Sequence, residues 1–419
     1  MVSTPVPDDA LALSVRHKSV PARFWGRQAL DVAAEHHALA EFSTPLMTFD
    51  RAASDHNVST LMGWARSLGL ELAPHGKTTM APVLWQRLLD AGAWGITVAT
   101  PWQAQVARAA GVRRVLLANQ VMDPAGIAWL AAQTDAGMDA GAEIASWVDS
   151  IEGVRLLAES AGTRPLDVLV ELGAPGGRTG ARGTEAALAV AREVLAAPRL
   201  RLRGVAGYVG SYGADRAPTT LARVRAYLVE LRELAETLLS WDALVDPIVT
   251  AGGSAFFELV AEGLAPLVAP AGATGRAVTV VLRSGAFQAH DDIFYDGISP
   301  FSQPGSEPEL EFRPALAVWS RVVSRPEPTL ALLDAGKRDL PVDLGMPVVH
   351  GHPGAVVTGV NDQHSYVALP ADSTLAVGDV VRLGISHPCT AFDKWRLMPE
   401  IDSADAASPT VIGFVETFF

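Results

Sequence analysis

A lysine stands just beyond a short apolar run in the stretch APHGKTTM, which covers residues 73 to 80. The run predicts a strand that ends there and leaves the amine of Lys77 on the following loop. Most loop lysines are solvated cations. An amine held on a rigid strand end and shielded from water can instead form a Schiff base with an aldehyde. Lys77 is therefore a candidate for that chemistry.

Two later apolar runs also end in residues that could line a site. The run in ELGAPGGRTG is followed by Arg178 in a glycine-rich turn, and the run in GYVGSYG ends with Tyr208. A loop arginine is often only solvated. Tyr208 either lies against a flat ligand or plugs the rim of the fold.

The stretch VTAGGSAFFELV combines two glycines with a serine at the expected start of a helix. Gly252 and Gly253 let backbone N–H groups approach an anion, and Ser254 can cap the helix. An ordinary serine N-cap would give the same sequence. An amine for an aldehyde and a cradle for a phosphate are together what pyridoxal phosphate requires.

The C-terminal stretch GISHPCTAFDKW holds an H-x-C pair. On an extended strand, His387 and Cys389 would project to the same face, and imidazole with thiolate suits zinc. The alternative is a pair of ordinary packing residues. A second pair, His350 and His352, lies beside Gly351 and Pro353 and is predicted to be a solvated loop.

From residue 51 onward, helix-like and strand-like patterns alternate with short turns, which is typical of parallel strands with crossover helices. The segments TEAALAVAREVLAA and TTLARVRAYLVELRELAETLLSW have the spacing of amphipathic helices. An eight-stranded (β/α)8 barrel, with its site at the carboxyl ends of the strands, is the prediction. The expected strands are Glu71 to His75, Gly95 to Ala99, Arg114 to Ala118, Ala142 to Val148, Leu166 to Leu172, Leu202 to Tyr208, Pro247 to Ala251 and Ala277 to Arg283.

After about Ser284 the β-rich runs AVVTGV, SYVALP and DVVRLGI are separated by turn signals. They predict a second, smaller all-β domain. The run PLMTFD, residues 45 to 50, looks like a strand without a place in the barrel and is expected to pair with the C-terminal sheet. The expected domains are a barrel over residues 51–283 and a β domain made of 1–50 and 284–419.

Composition limits the partners and the compartment. The chain has 419 residues, with 33 Lys and Arg against 46 Asp and Glu and a net charge of -13. That charge repels phosphate backbones and anionic lipids, so nucleic acid and membrane are unexpected partners. The single cysteine allows no internal disulfide, and neither a signal peptide nor a membrane-spanning helix is expected. A cytoplasmic protein is expected.

The motifs PHGKTT, GGRTG, TAGGS, NDQH and SHPCTAFDKW occur in this order. In that combination the chain resembles the family of D-serine dehydratase and D-threonine aldolase, fold-type III pyridoxal phosphate enzymes related to alanine racemase. The resemblance runs from about Pro45 to about Glu400. It implies a homodimer whose active sites combine the barrel of one subunit with the β domain of its partner.

The resemblance also assigns roles to individual residues. It implies that Lys77 carries the cofactor, that Arg178 faces the pyridine nitrogen and that Tyr208 lines the ring. The phosphate would lie on Gly252, Gly253 and Ser254, and the metal pair would be His387 and Cys389. HDDIFY, with His290 and Tyr295, is a looser match to the family's substrate pocket.

The aldolase branch usually has an aspartate where this chain has Cys389, so the resemblance favours the dehydratase branch and zinc. The expected reaction converts a D-β-hydroxy amino acid, such as D-serine, to a 2-keto acid and ammonia. The main alternative is aldolase cleavage to glycine and an aldehyde. A metal-free racemase would leave the H-x-C pair unexplained, and a non-enzymatic pyridoxal phosphate carrier would not need the β domain.

Overall fold

The computed structural model describes residues 11–136, 142–268 and 277–419. The described chain divides into two compact units. Unit 1 comprises residues 61–77 and 85–285, and unit 2 comprises residues 11–60, 78–84 and 286–419. Among the described residues, no helix combines the length and the apolar character needed to cross a membrane.

Unit 1 contains the predicted eight parallel strands. In space the strands follow the order 1-8-7-6-5-4-3-2, with every neighbouring pair parallel. A parallel bridge between His75 and Thr97 joins the first strand to the second. In chain order the strands are Glu71–Leu72, Ile96–Val98, Arg114–Gln120, Glu143–Val148, Leu166–Gly173, Leu200–Tyr208, Ile248–Gly252 and Thr279–Leu282. A two-residue strand, Ala181–Arg182, pairs with the fifth.

Buried apolar side chains fill the middle of this sheet. They come from seven different strands or strand extensions, as expected for a packed barrel core. The cluster comprises Ala73, Leu116, Ala145, Trp147, Leu169, Ala206, Ile248 and Val281.

Helices connect the barrel strands. Both helices predicted from the alanine- and leucine-rich segments are present, as Thr184–Ala196 and Pro218–Ser240, and each buries an apolar face. The other helices within unit 1 are Pro101–Ala109, Pro124–Asp135, Ile151–Ser160 and Phe257–Leu264. Two further helices, Arg51–Ser67 and Pro82–Asp90, begin in unit 2 and end in unit 1.

Unit 2 is built on a nine-stranded sheet that is mostly antiparallel. The predicted strand at residues 45–50 is present as Leu46–Asp50, and it pairs with Leu316–Glu327 and Leu397–Ile401, both in the C-terminal part of the chain. The expectation that PLMTFD joins the C-terminal sheet is confirmed. The remaining strands are Leu330–Leu333, Val348–His350, Val356–Val360, Ser365–Ala368, Val380–Gly384 and Val411–Glu416. Its short helices are Ala29–Ala34, Phe294–Ile298 and Cys389–Phe392.

The hydroxyl of Tyr227 connects the ends of two barrel strands. It donates to the carbonyl of Leu172 (2.7 Å) and accepts from the amide of Tyr208 (3.2 Å). The side chain is buried, so water cannot replace these bonds. The long helix Pro218–Ser240 therefore fixes where the fifth and sixth strands end.

Replacing this hydroxyl should destabilise the protein. We expect Tyr227→Phe to lower the free energy of unfolding by about 1–3 kcal/mol, because two buried backbone groups lose their partner. Urea unfolding measures the change. The control is Tyr366→Phe, whose hydroxyl accepts an exposed hydrogen bond from Asn361 (3.0 Å). Its cost should stay below about 0.5 kcal/mol. Equal costs for the two variants would contradict this account of the strand ends.

Candidate active site

Lys77 lies two residues beyond His75, at the end of the first barrel strand, in a single helical turn formed by Gly76–Thr78. Its side chain is half-buried. Ala73 belongs to the barrel core, and the chain continues from it through His75, which bridges to Thr97, into the turn that carries Lys77. The lysine amine therefore stands where the sequence predicted it, at the carboxyl end of the barrel.

His75 carries an unused hydrogen-bonding atom at this end of the barrel. Its Nδ1 is buried and has no partner among the residues that the structure describes. Burial lowers the pKa of His75 well below its usual value, and the positive charges of Lys77, Arg283 and Arg178 lower it further. A hydrogen bond to the backbone of Thr97 acts in the opposite direction and is weaker. The imidazole is therefore neutral, and an unpaired nitrogen faces the site.

The backbone around His75 is closely packed against the end of the eighth strand. A Cβ atom at Gly285 would lie 2.5 Å from the carbonyl oxygen of His75 and 2.7 Å from its amide nitrogen. Only glycine permits this approach, since a methyl group cannot occupy that space. The backbone that precedes Lys77 therefore has little room to move.

Arg283 is a buried arginine that the sequence analysis did not assign to the site. Its Nε donates to the hydroxyl of Thr250 (3.0 Å), and its Nη2 donates to the carbonyl of Gly207. The guanidinium lies 5.3 Å from the ring centroid of Trp147. Burial lowers the pKa of Arg283 to about 10, against the opposing effect of the Glu171 carboxylate, so the group remains a cation at neutral pH.

Arg178 and Tyr208 are brought together by the structure. The guanidinium of Arg178 lies 4.5 Å from the centroid of the Tyr208 ring, which is cation–π range. The glycine-rich turn that carries Arg178 is held by Arg182, which donates to the carbonyls of four successive residues, 177 to 180 (2.7–2.8 Å). Arg178 itself is exposed. The turn is thus ordered although its arginine reaches solvent.

The loop after the seventh strand differs from the prediction at Ser254. The following helix is Phe257–Leu264 with Phe256 as its N-cap residue, so Ser254 does not cap it. Gly252 ends the strand, and the three loop residues 253–255 lie between it and the cap residue. The serine N-cap explanation is therefore wrong for this loop.

Gly253 has φ +146, a conformation that favours glycine. A Cβ there would lie 2.5 Å from Val209 Cγ2 and 3.3 Å from the amide nitrogen of Gly210. The loop thus packs directly on the turn that follows the sixth strand. In the described part of the chain, no backbone hydrogen bond uses the amides of Gly253, Ser254 or Ala255. Arg216 holds the loop from behind by donating to the carbonyl of Ala255 (2.6 Å).

These residues fit pyridoxal phosphate. The cofactor needs an amine, an anion site and groups along a flat ring. Lys77 would supply the amine and the amides of 253–255 the anion site, and the buried Nδ1 of His75 has no hydrogen-bond partner in the described chain.

In unit 2 the H-x-C pair is present, but not on a strand. The strand Val380–Gly384 ends before it, and Cys389 starts the short helix Cys389–Phe392. Pro388 has φ -70 and ψ -34, so the backbone turns into a helix between the two residues. The predicted strand geometry is wrong, yet Cys389 still lies close enough to His387 to raise the pKa of the imidazole.

Asp343 orients the histidine of this pair. Its carboxylate lies 2.7 Å from His387 Nδ1 and accepts from the hydroxyl of Thr390 (2.7 Å). Burial lowers the pKa of His387, but the contacts with Cys389 and Asp343 outweigh it and raise that pKa to about 9. Because Nδ1 is engaged, Nε2 is the nitrogen left for a metal, as in the carboxylate–histidine–zinc arrangement. The donor set fits zinc.

The described residues contain no group of three or more acidic, histidine or cysteine side chains arranged to hold a metal ion. The sequence predicted a pair of ligands and not a closed set. Two protein ligands would leave open positions, which is typical of catalytic and not structural zinc.

Of the two residues singled out in HDDIFY, His290 and Tyr295, only Tyr295 lies beside His387. Its ring centroid is 6.2 Å from that of His387, and the buried carboxylate of Asp291 accepts its backbone amide (3.1 Å). His290 is fully buried and packs edge-on against Phe312 (5.5 Å). It belongs to the core of unit 2.

The second histidine pair was predicted to be a solvated loop, and for His350 this is wrong. His350 ends the strand Val348–His350, and its Nε2 lies 2.8 Å from Oδ1 of Asp292. His352 lies in the bend that follows and is half-buried. The neighbouring glycine and proline marked the turn correctly, but it begins after His350.

Comparisons with known proteins agree with this architecture. Residues 49–265, more than half of the chain, match the family "Alanine racemase, N-terminal domain", and residues 315–401 match the family "Putative serine dehydratase domain". A D-threonine aldolase from Arthrobacter sp is 28% identical over 359 residues, which cover 85% of this chain and 88% of that protein.

Two solved structures have the same fold. The D-threonine aldolase from Filomicrobium marinum superposes with a TM-score of 0.77 at 26% identity, covering 91% of this chain and 97% of that one. The D-threo-3-hydroxyaspartate dehydratase from Delftia sp. HT23 gives a TM-score of 0.69 at 23% identity, covering 91% and 99%. The predicted resemblance to fold-type III pyridoxal phosphate lyases is confirmed. The chain belongs to the alanine racemase N-terminal domain family.

Proposed function

We propose that this protein is a pyridoxal phosphate- and zinc-dependent dehydratase that converts a D-β-hydroxy amino acid to a 2-keto acid and ammonia. The coarser statement, a pyridoxal phosphate-type lyase related to enzymes of D-hydroxy amino acids, rests on the family. The observation that carries the finer one is that Asp343 fixes the imidazole of His387 (2.7 Å) and that Cys389 lies close enough to raise its pKa. The homodimer and the cytoplasmic location stay predictions.

In this proposal Lys77 binds the cofactor, and the amides of the loop at Gly253 bind its phosphate. When bound, the cofactor supplies an electron sink that weakens the bonds to the substrate Cα. Lys77, once displaced by the substrate, is the amine that accepts the Cα proton.

Arg178 and Arg283 would affect the protonation of the cofactor ring. A guanidinium does not give up its proton at neutral pH, so Arg178 facing the pyridine nitrogen would keep that nitrogen unprotonated. Arg283 adds a second fixed cation at this end of the barrel. An unprotonated ring is a weaker electron sink, which makes departure of the β-hydroxyl depend on help from elsewhere.

That help is the task we assign to the pair in unit 2. Zinc on His387 and Cys389 would act as a Lewis acid towards the β-hydroxyl. Asp343 holds His387 by Nδ1, so the imidazole keeps one orientation and presents Nε2. The structural neighbour from Delftia is a dehydratase, and the same enzyme has been solved as a cysteine-to-alanine variant in a metal-free form. Both facts support the proposal.

Aldol cleavage is the second candidate, because the D-threonine aldolases from Arthrobacter and Filomicrobium, at 28% and 26% identity, are more similar to this chain than the Delftia dehydratase, at 23%. The same residues would serve it if the β-hydroxyl lost its proton and did not leave. The Cα–Cβ bond would then break to give glycine and an aldehyde.

Lys77 should hold the cofactor covalently. Purified protein should be yellow, and borohydride reduction followed by peptide mapping should place a pyridoxyl group on Lys77. The matched control is Lys337→Ala, which removes an exposed lysine of unit 2 and should leave colour and label intact. A label on another lysine, or none, would contradict the assignment.

Product analysis separates the two reactions. With D-serine, D-threonine and D-threo-3-hydroxyaspartate, we expect a keto acid and ammonia from at least one substrate and little reaction of the L enantiomers. Cys389 in the metal pair is the reason for expecting elimination. Glycine and an aldehyde as the main products would show that the aldolase assignment is correct.

The metal should serve the reaction and not the fold. A chelator should abolish most turnover while leaving the thermal midpoint nearly unchanged, because the core of unit 2 lies in a separate apolar cluster. Cys389→Ala should keep the yellow colour and lose most turnover. Zinc should restore the stripped wild type but not the variant. If elimination continues at its full rate after chelation, or if Cys389→Ala unfolds, then His387 and Cys389 are ordinary packing residues.

A further inference from the structure

Arg216 links the two loops that follow the sixth and seventh barrel strands. It lies just before the helix Pro218–Ser240, in the loop that begins after Tyr208. Its Nη1 donates to the carbonyl of Ala255 (2.6 Å), and its Nη2 donates to the carboxylate of Glu258. Both charged side chains are mostly buried, so little water competes for these bonds. One guanidinium therefore holds the proposed phosphate loop and the helix that follows it.

The bond to Ala255 helps to close a turn around the amides proposed to bind phosphate. The peptide group whose carbonyl accepts from Arg216 also donates, through the amide of Phe256, to the carbonyl of Gly253 (3.2 Å). A cationic donor polarises the peptide that accepts its hydrogen bond, which strengthens the next bond in the chain. The amides of residues 253–255 have no backbone partner in the described chain. Arg216 thus stabilises a turn whose amides remain available to an anion.

Glu258 places a negative charge beside this turn. It is the second residue of the helix Phe257–Leu264. Its Oε1 accepts from Arg216, whereas Oε2 is buried and has no hydrogen-bond partner among the described residues. A carboxylate in the first turn stabilises the helix itself, but it repels an anion bound at the loop that precedes the helix. The positive charge of Arg216 offsets this repulsion.

We propose that Arg216 is a positioning residue for the cofactor phosphate and acts through Ala255 and Glu258. It holds the turn in the conformation that leaves the amides of 253–255 available, and it offsets the charge of Glu258 that opposes a phosphate. The inference rests on the proposed binding of pyridoxal phosphate at Lys77, and it deepens that proposal by adding a residue that does not itself touch the cofactor.

Comparing pyridoxal phosphate with pyridoxal isolates the contribution of the phosphate, because the two aldehydes differ only in that group. Equilibrium dialysis of the full-length protein, with the absorbance of the bound aldehyde as the readout, gives a dissociation constant for each. Arg216→Gln should raise the constant for pyridoxal phosphate at least tenfold and the constant for pyridoxal less than twofold. Equal weakening of both aldehydes, or wild-type affinity for pyridoxal phosphate in the folded variant, overturns the proposal.

The matched control is Arg225→Gln. Arg225 lies in the helix that follows Arg216 and pairs with Glu262, which lies in the helix that carries Glu258 (3.4 Å). Both side chains of this pair are more than half exposed, at 52% and 59%. The control should bind pyridoxal phosphate within twofold of the wild type. A tenfold loss in the control would assign the effect to pairing of the two helices and overturn the proposal.

A double variant, Arg216→Gln with Glu258→Gln, tests the charge of Glu258. The carboxylate no longer repels phosphate, although the bond to Ala255 is still missing. The constant for pyridoxal phosphate should lie at least threefold below that of Arg216→Gln and at least threefold above that of the wild type. A constant equal to either one contradicts the proposal. The double variant leaves no buried charge unpaired, so it also decides if circular dichroism shows that Arg216→Gln fails to fold.

Failure of this inference differs from failure of the proposed function. If the wild type binds no pyridoxal phosphate, the cofactor assignment is wrong and the inference falls with it. If the wild type binds the cofactor and Arg216→Gln binds it equally well, only the inference is wrong. No step of the test measures turnover, so elimination and cleavage give the same expected constants.

Discussion

Closure of the barrel between its first and second strands is the interaction on which the candidate site depends. The first strand has only two residues, so few bonds hold it. The amide of Thr97 donates to the carbonyl of Pro74 (2.9 Å), and its hydroxyl donates to that of Ala73 (2.7 Å). Thr97 is fully buried, so no water competes for these groups. Lys77 follows three residues after Pro74, and its position is set by this seam.

Positive charge is concentrated near this junction of the first two strands, and it favours the neutral form of His75. Arg283 is buried and Arg178 lies on the Tyr208 ring, and both act on His75, whose imidazole burial already keeps neutral. The same positive charges favour a bound anion. A phosphate at the Gly253 loop would therefore complete the charge balance of the barrel end, since the amides there have no other backbone partner in the described chain.

The sequence was sufficient for the parts of the fold that depend on periodicity. All eight barrel strands lie where alternation of strand and helix patterns placed them, and the strand at 46–50 joined the C-terminal sheet as expected. The first strand ends earlier than predicted. Pro74 has no N–H, so the ladder cannot continue through it as it would through another residue. Arg283 stood at a predicted strand end, and applying the strand-end rule to the eighth strand would have found it.

Local backbone turns and long-range partners could not be predicted in the same way. The H-x-C spacing implied a strand, but Pro388 adopts a helical conformation, and the histidine and cysteine side chains still interact. The Asp292 partner of His350 is 58 residues away in the chain, so no local pattern indicates it.

In the proposed reaction, elimination requires the β-hydroxyl to leave, whereas cleavage requires it to lose its proton. The residues proposed to bind the metal would decide between these outcomes. A thiolate donates more electron density to zinc than a carboxylate does, and it makes zinc the preferred ion among the common divalent metals. Asp343 contacts Nδ1 of His387 and also accepts a hydrogen bond from the hydroxyl of Thr390. These two bonds together fix the orientation of the imidazole. Cys389 has a weaker restraint, a 3.5 Å contact with the hydroxyl of Thr78. In the proposed site, an aspartate in place of Cys389 would change both the ion preferred and the acidity of a hydroxyl bound to it.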